Sequence, residues 1–382
     1  MKKTIILLLM CAMLSGCNAD GAADISVQTT EALTVTTAET IEITEVTSAT
    51  TAKPIETNEE KTTVEETTAE ETTQTEEASE VEDVKTERTP VSYYGEMLVD
   101  GNKLVGSNTG EQVRVTGMSF FWSNWSQKYY TSDYVDYLVD EYNCEIVRCS
   151  YGIQDNGVPH DTSCEPLIED VIEQAIERGV YVIVDWHSHG AHNNPDEAIA
   201  YFEKLAEKYG SYDNLIFEIY NEPTQVSWST VKDYAEKVIP AIRKYSDNLV
   251  IVGSPTWSQD VTSAAANPVE GENIAYTLHF YAGTHKQWLR DNADKAISAG
   301  IPLFVTEWGS VNADGNGSID KNSTEEWFAW MDKNNISSCN WAVNDKDEGS
   351  SIFVQDSTLS ETGKYIKKLI SERTENAEWR NK

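Results

Sequence analysis

Two glutamates follow apolar runs of the sequence and have the side chains needed for acid and nucleophilic chemistry. Glu222 stands near the end of "LIFEIYNEP" (215–223), and Glu307 follows the apolar start of "PLFVTEW" (302–308). A carboxylate is costly to bury unless it is paired and hydrogen-bonded. Two carboxyl groups across a cleft hydrolyse glycosidic bonds: one protonates the leaving oxygen, and the other attacks the sugar carbon or activates water. Either glutamate alone could equally be an exposed loop acid, whereas the pair predicts an active site.

Eight apolar, strand-like runs alternate with helical stretches in residues 91–382. The runs span 113–120, 145–151, 181–187, 215–222, 249–254, 274–281, 302–308 and 338–344. The stretches "EPLIEDVIEQAIERG" and "DEAIAYFEKLAEKYG" between them end in Gly, a common helix stop. This alternation favours an α/β fold of the (β/α)₈ TIM-barrel type over a doubly wound sheet. The preceding "EMLVDGNKLVGSNTGEQVRVTG" (96–117) predicts a short N-terminal β-hairpin that closes the N-terminal mouth of the barrel.

Polar and aromatic residues are concentrated late in these predicted strands. They are Arg148, Asp185, His187, Asn221, Glu222, His279, Tyr281, Glu307 and Trp341. In a (β/α)₈ barrel the carboxyl ends of the strands form the active face, so these residues are expected to meet at one mouth.

The segments "IYNEP" and "VTEWG" resemble glycoside hydrolase family 5, whose members are retaining (β/α)₈ glycosidases and include many endoglucanases. The resemblance extends over residues 95–372. It implies that Glu222 is the acid/base and Glu307 the nucleophile. The nucleophile should stay ionised, while the negative charge of Glu307 should raise the pKa of Glu222. Pro223 restricts the backbone of Glu222, the residue before it. This reduces the conformational entropy that is lost when the acid is held in position.

The same resemblance implies roles for the other strand-end residues. Asn221 would hydrogen-bond the 2-hydroxyl of the sugar under attack, and Arg148 in "VRCSYG" would lie beside the nucleophile. His187 in "DWH" would belong to the sugar pocket. His279 and Tyr281 in "LHFYAG" match the strand-six pair, whose tyrosine hydrogen-bonds the nucleophile, and Trp341 matches the aromatic under the sugar ring.

Residues outside this set bear on which glycan is bound. Lys346, five residues after Trp341, matches a lysine of the bacterial endoglucanase branch that binds the next sugar; the other interpretation is a solvated charged turn. Trp122, Trp125 and Trp257 follow strands and are predicted sugar platforms, with burial in the core as the alternative.

The expected activity is a retaining endo-β-1,4-glucanase acting on cellulose or related β-glucans. A mannanase, a xylanase or a non-catalytic oligosaccharide-binding lipoprotein are the alternatives.

Three histidines close together, His187, His189 and His192 in "DWHSHGAH", could instead form a metal site. On a strand, His187 and His189 would share a face, but no convincing set of partner ligands stands at the other strand ends. We therefore expect no metal and no other cofactor, with His189 and His192 in loops that line the cleft.

The N-terminal segment differs in composition from the rest of the chain. "MKKTIILLLMCAMLSGC" predicts a bacterial lipoprotein signal peptide (1–16) with lipidation at Cys17; the alternative is a plain secretory leader. Residues 17–90 are rich in Thr and Glu and contain no aromatic residue, which predicts a disordered linker. The expected product is a lipoprotein on the outside of a bacterial membrane, held to the membrane by its lipid alone.

The formal net charge of −35 makes nucleic acid or an anionic membrane surface a poor partner and suits a neutral polysaccharide. We expect a monomer that binds β-glucan chains and cello-oligosaccharides. The catalytic domain is predicted at 91–372, followed by a frayed tail at 373–382. The remaining cysteines show no paired-ligand spacing and are expected to be buried thiols: Cys144, Cys149, Cys164 and Cys339.

Overall fold

The computed structural model of the chain describes residues 88–153, 161–355 and 358–381. The predicted signal peptide, Cys17 and nearly all of the predicted linker lie outside the described residues. Within these ranges, no helix is both long enough and apolar enough to cross a bilayer.

The strands form one hairpin and one closed barrel. The hairpin pairs β1 (Met97–Asp100) with β2 (Lys103–Gly106) in antiparallel fashion. The barrel strands are β3 (Thr116–Phe120), β4 (Ile146–Gly152), β5 (Tyr181–His187), β6 (Leu215–Glu218), β7 (Val250–Val252), β8 (Ile274–Tyr281), β9 (Leu303–Gly309) and β10 (Ser338–Val343). They are parallel neighbours in chain order, and β10 pairs with β3 to close the ring. The predicted (β/α)₈ barrel is confirmed.

Helices connect the strands and cover the barrel. In chain order they are α1 (Pro90–Tyr94), α2 (Ser132–Tyr142), α3 (Glu165–Arg178), α4 (Pro195–Tyr209), α5 (Trp228–Ile242), α6 (Pro255–Ser258), α7 (Val261–Ala266), α8 (Gln287–Ser298), α9 (Lys321–Asn334), α10 (Glu361–Thr374) and α11 (Glu378–Asn381). Every position of β4, β5, β8 and β9 is buried, which explains why these strands are nearly continuous apolar runs. Helix α3 ends at Arg178, and the next residue, Gly179, has a φ of 64°, the left-handed conformation that glycine adopts without strain.

The predicted hairpin covers the N-terminal end of the barrel. Met97 and Leu104 are buried in a cluster that also contains the strand residues Ile146, Ile216 and Phe304. Apolar side chains from the hairpin and from the starts of the strands therefore seal this end, as expected.

The prediction of a frayed tail from residue 373 onward is wrong. Thr374 is buried in α10, and Trp379 in α11 is only 7% exposed and joins the cluster under the barrel. The indole N–H of Trp379 donates to Glu145 Oε1, a carboxyl whose pKa burial raises to about 7. The tail is ordered because it supplies a large apolar side chain to the barrel end. Cys144, Cys149, Cys164 and Cys339 are buried free thiols, as predicted.

Candidate active site

The predicted strand-end residues meet at the carboxyl end of the barrel. Strand pairing aligns His279 of β8 with Glu307 of β9, and Asp185 of β5 with Glu218 of β6. The segment after β6 remains hydrogen-bonded to β5, because the Asn221 N–H donates to Trp186 O at 3.3 Å. The rigid strands thus deliver side chains from separate parts of the sequence to one cleft.

Glu222 and Glu307 face each other across this cleft. An oxygen of each carboxyl group and a ring nitrogen of His279 all lie within 4.8 Å of one another. Glu307 is 4% exposed, and Glu222 is more open to the cleft. Carboxyl groups about 5 Å apart suit direct attack on a sugar carbon, whereas about 6.5–9.5 Å would leave room for an intervening water.

Two donors hold the Glu307 carboxylate. Arg148 Nη1 donates to Oε2 at 3.1 Å, and the Tyr281 hydroxyl donates to Oε1 at 2.7 Å. Burial raises the pKa of Glu307; His279, Arg148 and Tyr281 lower it, while the negative charge of Glu222 raises it further. The resulting pKa is above the ordinary value. The expectation that Glu307 stays ionised did not take account of how strongly burial desolvates this strand end.

Two histidines contact the Glu222 carboxyl group. His279 Nδ1 lies 2.8 Å from Oε1, and His189 Nε2 lies 3.3 Å from Oε2. Burial raises the pKa of Glu222, but these hydrogen bonds outweigh it and bring the pKa to about 2. The expectation of a raised pKa is therefore reversed, since His189 and His279 were not foreseen as partners of Glu222.

His279 carries the proton that Glu222 lacks. Burial lowers the pKa of His279, but the carboxylates of Glu307, Glu218 and Glu222 raise it to about 9. At neutral pH the Glu222–His279 pair therefore holds one proton within a 2.8 Å hydrogen bond. A short shift of that proton converts Glu222 into an acid.

Arg148 is the centre of a buried charge network. Its guanidinium donates to Glu218 Oε2 at 2.7 Å, to Asp185 Oδ2 at 2.8 Å and to Asn221 Oδ1 at 2.7 Å, as well as to Glu307. Sequence patterns did not single out Glu218. The available signal was a lone acid inside the apolar run "LIFEIY".

His187, Trp341 and Trp122 build an aromatic wall of the cleft. His187 Nδ1 lies 2.6 Å from Asp185 Oδ2, and its ring stacks on Trp341 with centroids 5.2 Å apart. The Trp122 ring meets His187 edge-on at 4.2 Å. The structure thus brings together three residues that were predicted to contact sugar.

The predicted platform tryptophans lie at the surface rather than in the core. Trp125 is 68% exposed and stacks on the half-buried Trp122 at 5.1 Å, while Trp257 is 45% exposed. Thr256, Trp257 and Ser258 all have left-handed φ values, of 61°, 54° and 54°. Such backbone strain in non-glycine residues is typical of functional segments. Trp288, 49% exposed, was not singled out in the sequence.

The other predicted residues lie around this centre. Lys346 Nζ contacts Glu348 Oε2 at 2.6 Å and lies 5.4 Å from the Phe121 ring centroid, so it belongs to the wall after β10. His192 Nδ1 lies 2.8 Å from the Tyr220 hydroxyl. His187 ends β5, whereas His189 stands in the loop beyond it and contacts Glu222. The shared strand face considered for a metal site does not form between these two histidines.

Comparison with known proteins gives the family that the sequence resembles. The profile of the family described as Cellulase (glycosyl hydrolase family 5) matches residues 107–347. The chain is 50% identical over 283 residues to endoglucanase Z of Dickeya dadantii, an alignment that covers 72% of this chain and 66% of that protein.

Solved structures agree in fold over nearly their whole length. A structure from Cytophaga hutchinsonii superposes with a TM-score of 0.73 at 43% identity, covering 75% of this chain and 98% of the other. The catalytic domain of Thermobifida fusca endoglucanase Cel5A gives a TM-score of 0.69 at 32% identity, covering 74% and 99%. Together with the profile match, these similarities establish that the chain belongs to the cellulase family, glycosyl hydrolase family 5.

Proposed function

We propose that the protein is a retaining endo-β-1,4-glucanase that hydrolyses internal bonds of cellulose or related β-glucans. The observation that carries the proposal is the opposition of Glu222 and Glu307, with carboxyl oxygens within 4.8 Å, inside a cleft walled by aromatic rings. The relatives named endoglucanase support the same substrate class. The acidic chain suits a neutral polymer, and we propose that it acts as a monomer.

The first chemical step forms a covalent glycosyl-enzyme. Glu222, which receives the proton of His279 across their 2.8 Å hydrogen bond, protonates the glycosidic oxygen. The Glu307 carboxylate attacks the anomeric carbon, the bond to the leaving oxygen breaks, and the shortened chain departs with the proton. Arg148 and Tyr281 orient the attacking oxygen atoms. The proton shift leaves Glu222 and His279 both neutral, so it removes the Glu222 charge that raises the Glu307 pKa together with the His279 charge that lowers it. Arg148 and the Tyr281 hydroxyl remain to hold Glu307 ionised.

The second step releases the remaining sugar. Glu222 is again a carboxylate and takes a proton from water, whose oxygen attacks the anomeric carbon as the ester bond to Glu307 breaks. The proton then rests on the Glu222–His279 pair, and the starting state is restored. Two inversions at the same carbon retain the anomeric configuration.

The position of the exposed tryptophans favours cleavage within a chain. Trp125 follows β3 and Trp257 follows β7, strands that lie on opposite sides of the eight-membered ring. Aromatic platforms on both sides of the carboxylate pair allow a glucan to extend past the site in two directions.

Hydrolysis of carboxymethylcellulose, lichenan, xylan and mannan, measured side by side, tests the proposal. We expect cleavage of the two β-glucans, with an early fall in viscosity, and a loss of roughly 10² or more in turnover for Glu222→Gln and Glu307→Gln. Preference for xylan or mannan would reject the glucanase assignment. Binding of cellohexaose without shorter products would identify an oligosaccharide-binding protein instead.

We further propose that the enzyme is a lipoprotein anchored on the outside of a bacterial membrane. The support is the sequence "LSGC" directly after the apolar leader and the Thr/Glu-rich segment that separates Cys17 from the barrel. Metabolic labelling with radioactive palmitate tests this in cells that express the full chain. We expect the wild type to carry the label and Cys17→Ser to lack it. We also expect the variant to be released into the medium. Equal release of both forms would contradict the anchor.

A further inference from the structure

A chain of hydrogen bonds runs from a buried acid to the proposed acid/base. Glu218 Oε1 accepts from the Thr306 hydroxyl at 2.6 Å, and Thr306 Oγ1 lies 3.0 Å from His279 Nε2. On the other side of the ring, His279 Nδ1 lies 2.8 Å from Glu222 Oε1. Glu218 and Thr306 are fully buried, and neither has a part in the mechanism above.

The chemistry of the groups fixes the direction of each bond. Burial raises the pKa of Glu218, but Arg148 and His279 outweigh it, so this carboxyl has a lowered pKa and is ionised. An ionised carboxylate can only accept, and Thr306 has one hydroxyl proton, which it donates to Glu218. The Thr306 oxygen therefore accepts from the N–H at His279 Nε2. Thr277 also hydrogen-bonds the Thr306 oxygen and must donate to it.

We infer that Glu218 and Thr306 are positioning residues that keep a proton on His279 Nε2, so that Nδ1 is the nitrogen that exchanges a proton with Glu222. This inference rests on the proposed function, because it concerns how the acid/base is supplied. A neutral His279 with its only proton on Nδ1 would donate to Glu222 and hold it as a carboxylate. With the proton fixed on Nε2, a neutral His279 accepts a hydrogen bond from protonated Glu222. When Nδ1 takes up that proton, His279 is charged and donates to the Glu222 carboxylate.

The charges around His279 support this arrangement. His279 interacts electrostatically with the carboxyl groups of Glu307, Glu218, Glu222 and Asp185 and with the imidazoles of His187 and His285. Of these, Glu218 is the acid reached through Thr306, and His279 Nε2 lies 3.9 Å from its Oε1. Loss of the Thr306 hydroxyl removes the acceptor for Nε2–H and weakens the hold of His279 on its proton.

The matched variants Thr306→Val and Thr306→Ser test the inference. Valine keeps the β-branched shape without the hydroxyl, whereas serine keeps the hydroxyl. The measurements are the NMR titration of the His279 ring nitrogens and the pH dependence of kcat/KM on a soluble cello-oligosaccharide. In Thr306→Val we expect the His279 pKa and the alkaline limb to move down by about one pH unit and kcat to fall about tenfold. Thr306→Ser should match the wild type.

An unchanged His279 titration in Thr306→Val, or equal shifts in the valine and serine variants, would overturn the inference. If Thr306→Val does not fold, Glu218→Gln takes its place, and the same downward shift of the His279 pKa is required. The ring titration needs no substrate. A wild type that fails to cleave β-glucans would therefore reject the proposed function while the titration still decides the role of Thr306 and Glu218.

Discussion

Arg148 Nη1 donates to Glu307 Oε2 at 3.1 Å, and the same fully buried guanidinium pairs with Asp185 and Glu218. A single cation thus stabilises three acids at the strand ends. Neither Asp185 nor Glu218 touches the cleft pair directly, but both fix the arginine that holds the proposed nucleophile. The proposed catalysis and the stability of the barrel therefore depend on the same side chain.

Replacement of Arg148 by Met leaves buried carboxylates without their partner. We expect the free energy of unfolding to fall by about 3–5 kcal/mol, because uncompensated buried charge is strongly destabilising. Urea unfolding measures this. The matched control is Arg178→Met, whose pairs with Asp136 and Asp140 are at the surface and should contribute about 1 kcal/mol or less. Similar losses in both variants would contradict the network.

Tyr281→Phe removes the hydroxyl that donates to Glu307 at 2.7 Å. Loss of a donor to the carboxylate raises the pKa of Glu307 further, so the acid limb of the kcat/KM profile should move to higher pH, with kcat/KM lowered about tenfold or more. Tyr234→Phe is the control, since its buried hydroxyl donates to Ile219 O away from the cleft. An acid limb that stays in place in Tyr281→Phe would contradict the contact.

The charges on Glu222 and His279 should stabilise the fold only within a limited pH range. The carboxylates of Glu307, Glu218 and Glu222 raise the His279 pKa to about 9, above its ordinary value. The stabilisation from charged His279 is therefore complete below about pH 6.5 and is lost as the pH rises through 9. The Glu222 pKa of about 2 lies below its ordinary value, so the same interaction is lost as the pH falls from about 4.5 toward 2.

Comparison of wild type with His279→Gln by urea unfolding across this range tests the window. The difference in unfolding free energy should be largest between about pH 4.5 and 6.5, at about 3 kcal/mol, and should decline on both sides. A difference that is constant from pH 4 to 9 would contradict the paired charges.

Trp125 and Trp257 should contribute to binding of long chains. We expect Trp125→Ala and Trp257→Ala to raise KM for a long cello-oligosaccharide about three- to tenfold, because each platform offers an aromatic face to a sugar ring. Tyr245→Ala is the control, as Tyr245 is similarly exposed but lies between α5 and β7, at the opposite end of the barrel. Equal KM values in all three variants would reject the platforms.

Much of the fold was predictable because parallel barrel strands are buried on both faces and leave long apolar runs in the sequence. The runs around Glu222 and Glu307 also placed the two acids at strand ends. The predicted strand 215–222 is too long, since β6 ends at Glu218 and the chain then bends toward Pro223. The bend itself depends on contacts with β5 that sequence does not reveal.

What could not be predicted depends on contacts between distant segments. The lowered pKa of Glu222 requires His189, from the loop after β5, to reach its carboxyl group. The role of Glu218 requires Thr306, 88 residues away in sequence. Trp379 resembled a residue of a polar tail, and only its place against the barrel end shows that it is core.

Covalent trapping tests the central claim most directly. A 2-deoxy-2-fluoro cellobioside with an activated leaving group slows release of the glycosyl-enzyme, and peptide mass spectrometry then locates the sugar. We predict one fluorosugar per chain, attached to Glu307 in the peptide that contains "VTEWG". Attachment to another residue, or full inactivation without any covalent sugar, would contradict direct attack by Glu307 across from Glu222.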